Sequence, residues 1–150
     1  MRLIIEDILV ARNIPYRIIE LKDRAITVSD VIEHSVEDIS PEEICKTILV
    51  KQKTRYYAVF LRGADKIDFK KLKDVIGKVS IASRVEVLAV SGVEPGAVCP
   101  LLVDIPVLVD RRVLRLKKLN FGSGDHLFGV EIASCDLELV LDYRLVEIAE

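Results

Sequence analysis

The sequence contains no tryptophan, and only 4 Tyr and 4 Phe among 150 residues. Its core therefore cannot rest mainly on stacked rings. Cysteine is scarce as well. Cys45, Cys99 and Cys135 are widely separated and odd in number, and no CxxC pair occurs. That excludes a disulfide framework and a thiolate zinc site, and three reduced, mostly buried thiols are expected. The two histidines, His34 and His126, have no second histidine or cysteine at ligand spacing. A metal would need carboxylates gathered from a distance, so neither metal nor cofactor is expected. Side-chain amides are limited to Asn13, Gln52 and Asn120. With abundant Lys and Glu, this scarcity fits a heat-adapted source.

An excess of charge of one sign is also missing. Lys and Arg total 22 against 24 Asp and Glu, a net charge of −2. A surface-wide electrostatic clamp on nucleic acid is excluded, while a local basic patch is not. The longest uncharged run extends from Pro95 to Val103, far short of the about 20 residues that span a bilayer. Glu6 and Asp7 interrupt the apolar start. No secretory leader and no membrane span are expected, and the location is read as cytoplasmic.

What the chain has in quantity is aliphatic: 20 Val, 17 Ile and 18 Leu. This favours strands and aliphatic packing. The length suits one domain over residues 1–150, with no repeat, linker or low-complexity segment. A helical rhythm opens the chain, with Leu3, Ile8 and Ala11 near one face, ended by Asn13 and Pro15. Residues 15–21 read as a strand. Thr27 or Ser29 can cap a short helix, and Ser40-Pro41-Glu42-Glu43 starts another. Residues 47–51 and 55–61 form a hairpin around a polar turn. Residues 68–76 form a helix with Phe69, Leu72 and Ile76 inward, closed by Gly77. Ser83 caps a further helix. Residues 105–109 are a strand, 111–117 a short basic helix or turn, and 120–124 a glycine turn. Residues 128–133 are a strand with Val130 and Ile132 on one face and Glu131 on the other. Ser134 caps the last helix, and 145–148 is the last strand. Interleaved helices and strands with a hairpin predict a mixed sheet or small barrel with helices outside.

Several familiar sites are absent. There is no GxxxxGK[ST], GxSxG or HExxH. Gly122-Ser123-Gly124 lacks the third glycine of a dinucleotide fingerprint. What remains is one lysine and two glycine segments. Lys46 shares a strand face with Ile48 and Val50. It reads either as a snorkelling strand-end lysine or as a cation at a pocket mouth that holds a phosphate or an oxyanion. The segment from Ser91 to Pro100 contains two Gly and two Pro. It reads either as a plain turn or as a stiff loop whose backbone N–H groups approach a ligand.

Ile44-Cys45-Lys46-Thr47-Ile48-Leu49-Val50-Lys51, the Gly/Pro loop, and the glycine turn leading to Gly129-Val130-Glu131-Ile132-Ala133-Ser134 and Asp136-Leu137 resemble the YbaK family in order and spacing. These are free-standing relatives of the editing domain of bacterial prolyl-tRNA synthetases. The resemblance covers nearly the whole chain. It implies an α+β fold: a mixed, largely antiparallel, β-barrel-like sheet surrounded by helices. It implies hydrolysis of the ester on a mischarged tRNA, typically proline tRNA carrying alanine or cysteine. It implies the acceptor end of aminoacyl-tRNA and a prolyl-tRNA synthetase as partners. The family's essential lysine falls on Lys46. Its glycine-proline loop falls on Ser91, Gly92, Glu94, Pro95 and Gly96, with Gly92 and Gly96 as oxyanion donors. Its later glycine turn falls on Gly122, Ser123 and Gly124, and His126 stands where some editing domains use a histidine. Ser91 and Glu94 depart from the usual loop. A carboxylate at Glu94 would either repel a phosphate or bind an amino group.

Three functions follow as expectations. The first is a deacylase using positioned water, helped by the neighbouring ribose hydroxyl, without a covalent intermediate. The alternative is a non-catalytic module of the same fold that binds an RNA 3′ end, a nucleotide or a synthetase. For either, the basic cluster Arg111, Arg112, Arg115, Lys117 and Lys118 reads as an RNA backbone contact or as a solvated helix face. The third is a hydrolase or transferase on another small acylated molecule, with Cys99 as nucleophile.

Overall fold

The computed structural model describes residues 2–24, 27–36 and 39–150. Helix α1 (Ile4–Ala11) ends where Asn13 turns into the left-handed region at φ 58. Its buried face is Ile5 and Leu9, both fully buried, rather than Leu3, Ile8 and Ala11. Apolar residues at 3, 4, 5, 8, 9 and 10 support overlapping stripes, and packing selects the 5/9 pair.

Strand β1 (Tyr16–Glu20) follows, then α2 (Val28–His34), capped by the Thr27 hydroxyl, which accepts from Asp30 N. A 3-10 turn at Pro41–Glu43 leads into the hairpin of β2 (Cys45–Gln52) and β3 (Arg55–Arg62). Gln52 pairs with Arg55 across a two-residue turn, with Lys53 at φ 55. Helix α3 (Phe69–Ile76) is capped by the Asp68 carboxylate and closed by Gly77. Leu72 is its buried residue, whereas Phe69 is 42% exposed and not inward. It begins the helix, where the chain still faces water.

After the short β4 (Ser80–Ile81) comes α4 (Arg84–Ser91). Ser83 Oγ accepts from Glu86 N, and Glu86 reaches back to Ser83 N, a reciprocal cap. Strand β5 (Val107–Asp110), a 3-10 turn at Arg111–Arg115, β6 (Lys118–Gly122) and β7 (Phe128–Ala133) follow. The chain ends with a 3-10 turn at Ser134–Asp136, α5 (Leu137–Val140) and β8 (Arg144–Val146). Ser134 caps nothing; its hydroxyl donates to Leu116 O. The expected turn at Asn120–Gly124 is instead the end of β6, and the turn begins at Ser123.

The strands form two sheets. One has the order β1-β7-β6, antiparallel throughout; the other has the order β4-β2-β3-β5-β8, antiparallel except where β5 runs parallel to β3 and β8. The arrangement is the expected mixed, largely antiparallel α+β fold, barrel-like without closing. The core fills the space between the sheets. Phe60 of β3 meets Phe121 of β6 edge to face, ring centroids 5.5 Å apart, so two of the few aromatics sit at the centre. A parallel bridge, Ile44 to Asn120, also links the two sheets. Among the described residues, no helix is long and apolar enough to cross a membrane.

Candidate active site

A cavity of about 530 Å³ lies where the sheets part, walled by β2, β6, β7, the start of α2 and the loop after α4. Its volume falls in the range of roughly 300–1,000 Å³ typical of small-ligand sites. Two glycines make it possible. At Gly63 an added Cβ would stand 2.9 Å from Val28 Cγ2 and 3.0 Å from Ile44 O, so glycine lets α2 close over the hairpin. At Gly122 a Cβ would stand 2.7 Å from Val98 O, so glycine lets β6 run against the loop after α4.

Lys46 is on the wall, half-buried, and its Nζ donates to Gly63 O at 3.1 Å. Burial lowers its pKa, opposed by Asp65 and assisted by Lys66. The result is a partly desolvated cation held by one carbonyl, with donor capacity left over. Pro95, Gly96, Gly122 and His126 are also on the wall. The Gly96 N–H, in a residue at φ 93, has no acceptor among the described residues.

The other expected residues stand behind the wall. Gly92 caps α4 at φ 77, and its N–H donates to Leu88 O at 2.9 Å, so it is not available to a carbonyl in the cavity. The Ser91 hydroxyl donates to Val87 O. Glu94 is gripped by Arg84 through two bonds of 2.6 Å, which hold its carboxyl below the usual range. The Ser123 hydroxyl donates to Phe128 O at 2.6 Å, and the Gly124 N–H to Ala97 O at 2.8 Å. These bonds brace the loops that carry Gly96 and His126.

Three wall residues escape a motif search: Thr47, Asn120 and Asp125. Among the described residues, the buried side-chain N and O atoms without a hydrogen-bond partner are Thr47 Oγ1, Asn120 Nδ2 and His126 Nδ1. All three belong to residues of this wall. Buried polar atoms are normally paired, and leaving one unpaired costs about 1–3 kcal/mol. Their concentration here leaves this wall with hydrogen-bonding capacity that the described residues do not use.

The thiols do not fit a nucleophile. Cys99 is buried off the wall, and burial pushes its pKa up to about 12; Cys45, on the wall, is likewise raised to about 12. A thiolate at neutral pH is unsupported at either. Cys135 is exposed rather than buried. The basic cluster is largely engaged. Arg111 pairs with Glu147, Arg112 with Asp65 and Glu150 O, and Lys118 with Glu131. His34 has Asp30 and Glu33 on its own helix, ligand atoms within 4.8 Å, so carboxylates need not come from afar. The group is partly exposed, and Asp30 accepts from Thr27 N.

The model of the aminoacyl-tRNA editing domain family matches residues 25–140, and the chain belongs to that family. Among solved structures it is similar to hypothetical protein APE2540, at 26% identity over 97% of this chain and 99% of the other, with a TM-score of 0.86. It is also similar to a proposed trans-editing enzyme for prolyl tRNA synthetase, at 17% identity over 97% and 94%, with a TM-score of 0.83. A proposed signal transduction protein from Marinobacter aquaeolei VT8 shares the fold at 19% identity and TM-score 0.73, but the match covers 31% of that longer chain. The likenesses below 25% identity establish the fold.

Proposed function

We propose that residues 1–150 act as one free-standing editing domain in the cytoplasm. It hydrolyses the ester between a small wrong amino acid and the 3′ end of a tRNA. The observation that carries this reading is the partly desolvated Lys46 cation on a cavity wall that also holds Gly96, whose N–H has no acceptor among the described residues. An aminoacyl ester is already activated, so orientation and charge stabilisation suffice.

In this mechanism water attacks the ester carbonyl carbon, assisted by the neighbouring ribose hydroxyl. The carbonyl oxygen gains charge and is held by the Gly96 N–H. Lys46 anchors the terminal phosphate or the carbonyl. The ribose oxygen leaves with a proton, giving free amino acid and uncharged tRNA. His126 faces the same cavity and is assigned to substrate binding. Pro95 and Gly122 shape the walls, while Ser91, Gly92, Glu94, Ser123 and Gly124 hold them in place.

Alanine and cysteine are the candidate substrates by size. A methylene is worth only about 1–3 kcal/mol, so such a site selects by excluding larger side chains. Proline tRNA and its synthetase are the proposed partners. The test is release of free amino acid from tRNAs charged with alanine, cysteine and proline. Salt-dependent binding without release would instead favour the non-catalytic module.

A further inference from the structure

The wall of the cavity carries one carboxylate among the described residues, Asp125. Its backbone is fixed: Asp125 N donates to Ser123 Oγ at 3.2 Å, and Asp125 O accepts from Phe128 N at 3.3 Å. One carboxylate oxygen, Oδ1, accepts from Leu127 N at 2.9 Å. The other has no hydrogen-bond or ion-pair partner among the described residues. Glu94 and Glu131 differ. Glu94 is taken by Arg84, and Glu131 by Arg17 and Lys118. A rigidly placed carboxylate without a cation, in a cavity that also holds Lys46, suits a ligand that brings its own positive charge.

Every aminoacyl ester brings one. Its α-ammonium is attached to the carbon beside the reacting carbonyl, whatever the side chain. Resting on the deacylase reading, we propose that Asp125 binds this α-ammonium and makes a free amine a requirement of the site. The amino-group role that the sequence leaves open for Glu94 falls instead to Asp125. Esters in which the amine is acylated, such as peptidyl or formylated species, would be rejected by loss of the cation.

Alanyl-tRNA and cysteinyl-tRNA provide the test, each compared with its N-acetylated form and with its α-hydroxy counterpart. The α-hydroxy ester removes the charge without adding bulk. Each enzymatic rate is divided by the uncatalysed rate of the same ester, because the ammonium also activates the ester intrinsically. The wild-type chain is expected to favour the free amine over the hydroxy ester by about 30-fold or more, as for a charge-assisted hydrogen bond. Asp125→Asn should bring that ratio to within a few-fold. Equal normalised rates on amine and hydroxy esters by the wild-type chain would overturn the role of Asp125 and leave the deacylase standing. No hydrolysis of any ester would overturn the deacylase reading, and this inference with it. The wild-type comparison needs no variant, so misfolding of Asp125→Asn cannot obscure the result.

Discussion

Arg84, on the first turn of α4, grips Glu94, just beyond the end of the same helix, through two hydrogen bonds of 2.6 Å each. The pair straps the loop carrying Pro95 and Gly96 back onto its own helix. It also gives a departure from the family loop a structural purpose, since the carboxylate is neutralised and does not face the cavity. Glu94→Gln keeps the shape and loses the charge. It should lower deacylation about ten-fold, and Arg84→Ala should do the same. The double variant should be no worse than either, because both break one contact. Melting temperature should barely move, since Arg84 is exposed and such pairs contribute at most about 1 kcal/mol. Additive losses would show that the residues act separately.

Thr47 presents a conflict between stability and use. Its hydroxyl is buried and has no partner among the described residues. Thr47→Val replaces that oxygen with a methyl group of similar size. Removing the unpaired group should stabilise the chain by about 1 kcal/mol, raising the melting temperature by about 2–4 °C for a chain of this length. Deacylation should fall. Calorimetry and kinetics on the same preparation check both, and a loss of stability would show that the hydroxyl is satisfied in the free protein.

Asp110 anchors the C-terminal segment. Its buried carboxylate accepts from Ile148 N at 2.9 Å, Ala149 N at 3.1 Å and Arg112 N at 3.1 Å. Asp110→Ala orphans three backbone donors, and a loss of about 3 kcal/mol or more is expected. The melting temperature should drop by roughly 6–12 °C.

Acid sensitivity should centre on Glu86. It accepts from Tyr56 Oη at 2.9 Å and from Ser83 N at 3.0 Å, and pairs with Lys51 at 2.7 Å. These contacts, Lys51 foremost, bring its carboxyl down from 4.5 to about 2. A depressed acid stabilises the fold above its unfolded pKa, and that contribution is lost as pH falls through the folded value. Stability should therefore decline between about pH 4.5 and pH 2, and the decline should be shallower in Glu86→Gln. Melts across this window check the slope.

These residues show what a sequence discloses. The Ser83 cap and the β2–β3 hairpin are written in residues two to four positions apart, and they are legible. Lys46 is legible because its strand period is clear. Asn120-Phe121-Gly122 looks like a turn because its glycine is read locally. The glycine is there for Val98 O, more than twenty residues earlier, which only the tertiary structure brings close. The 5/9 face of α1 is hidden for a related reason, since apolar residues surround that helix and only its partners choose a face. Thr47, Asn120 and Asp125 belong to no motif. Thr47 adjoins Lys46 in the chain, but Asn120 and Asp125 meet it only in the folded protein, where the Ile44–Asn120 bridge links the sheets.

The central claim rests on Lys46 acting as a cation at a hydrolytic site. The most direct measurement is release of free amino acid from tRNAs charged with alanine or cysteine, by the wild-type chain and by Lys46→Ala, across pH. The wild type should release the amino acid, and Lys46→Ala should be slower by about 10²-fold or more. Because burial lowers the Lys46 pKa, the wild-type rate above background should fall with rising pH before the ordinary lysine value of 10.5 is reached. A Lys46→Ala rate within a few-fold of wild type would remove Lys46 from the chemistry and contradict the account.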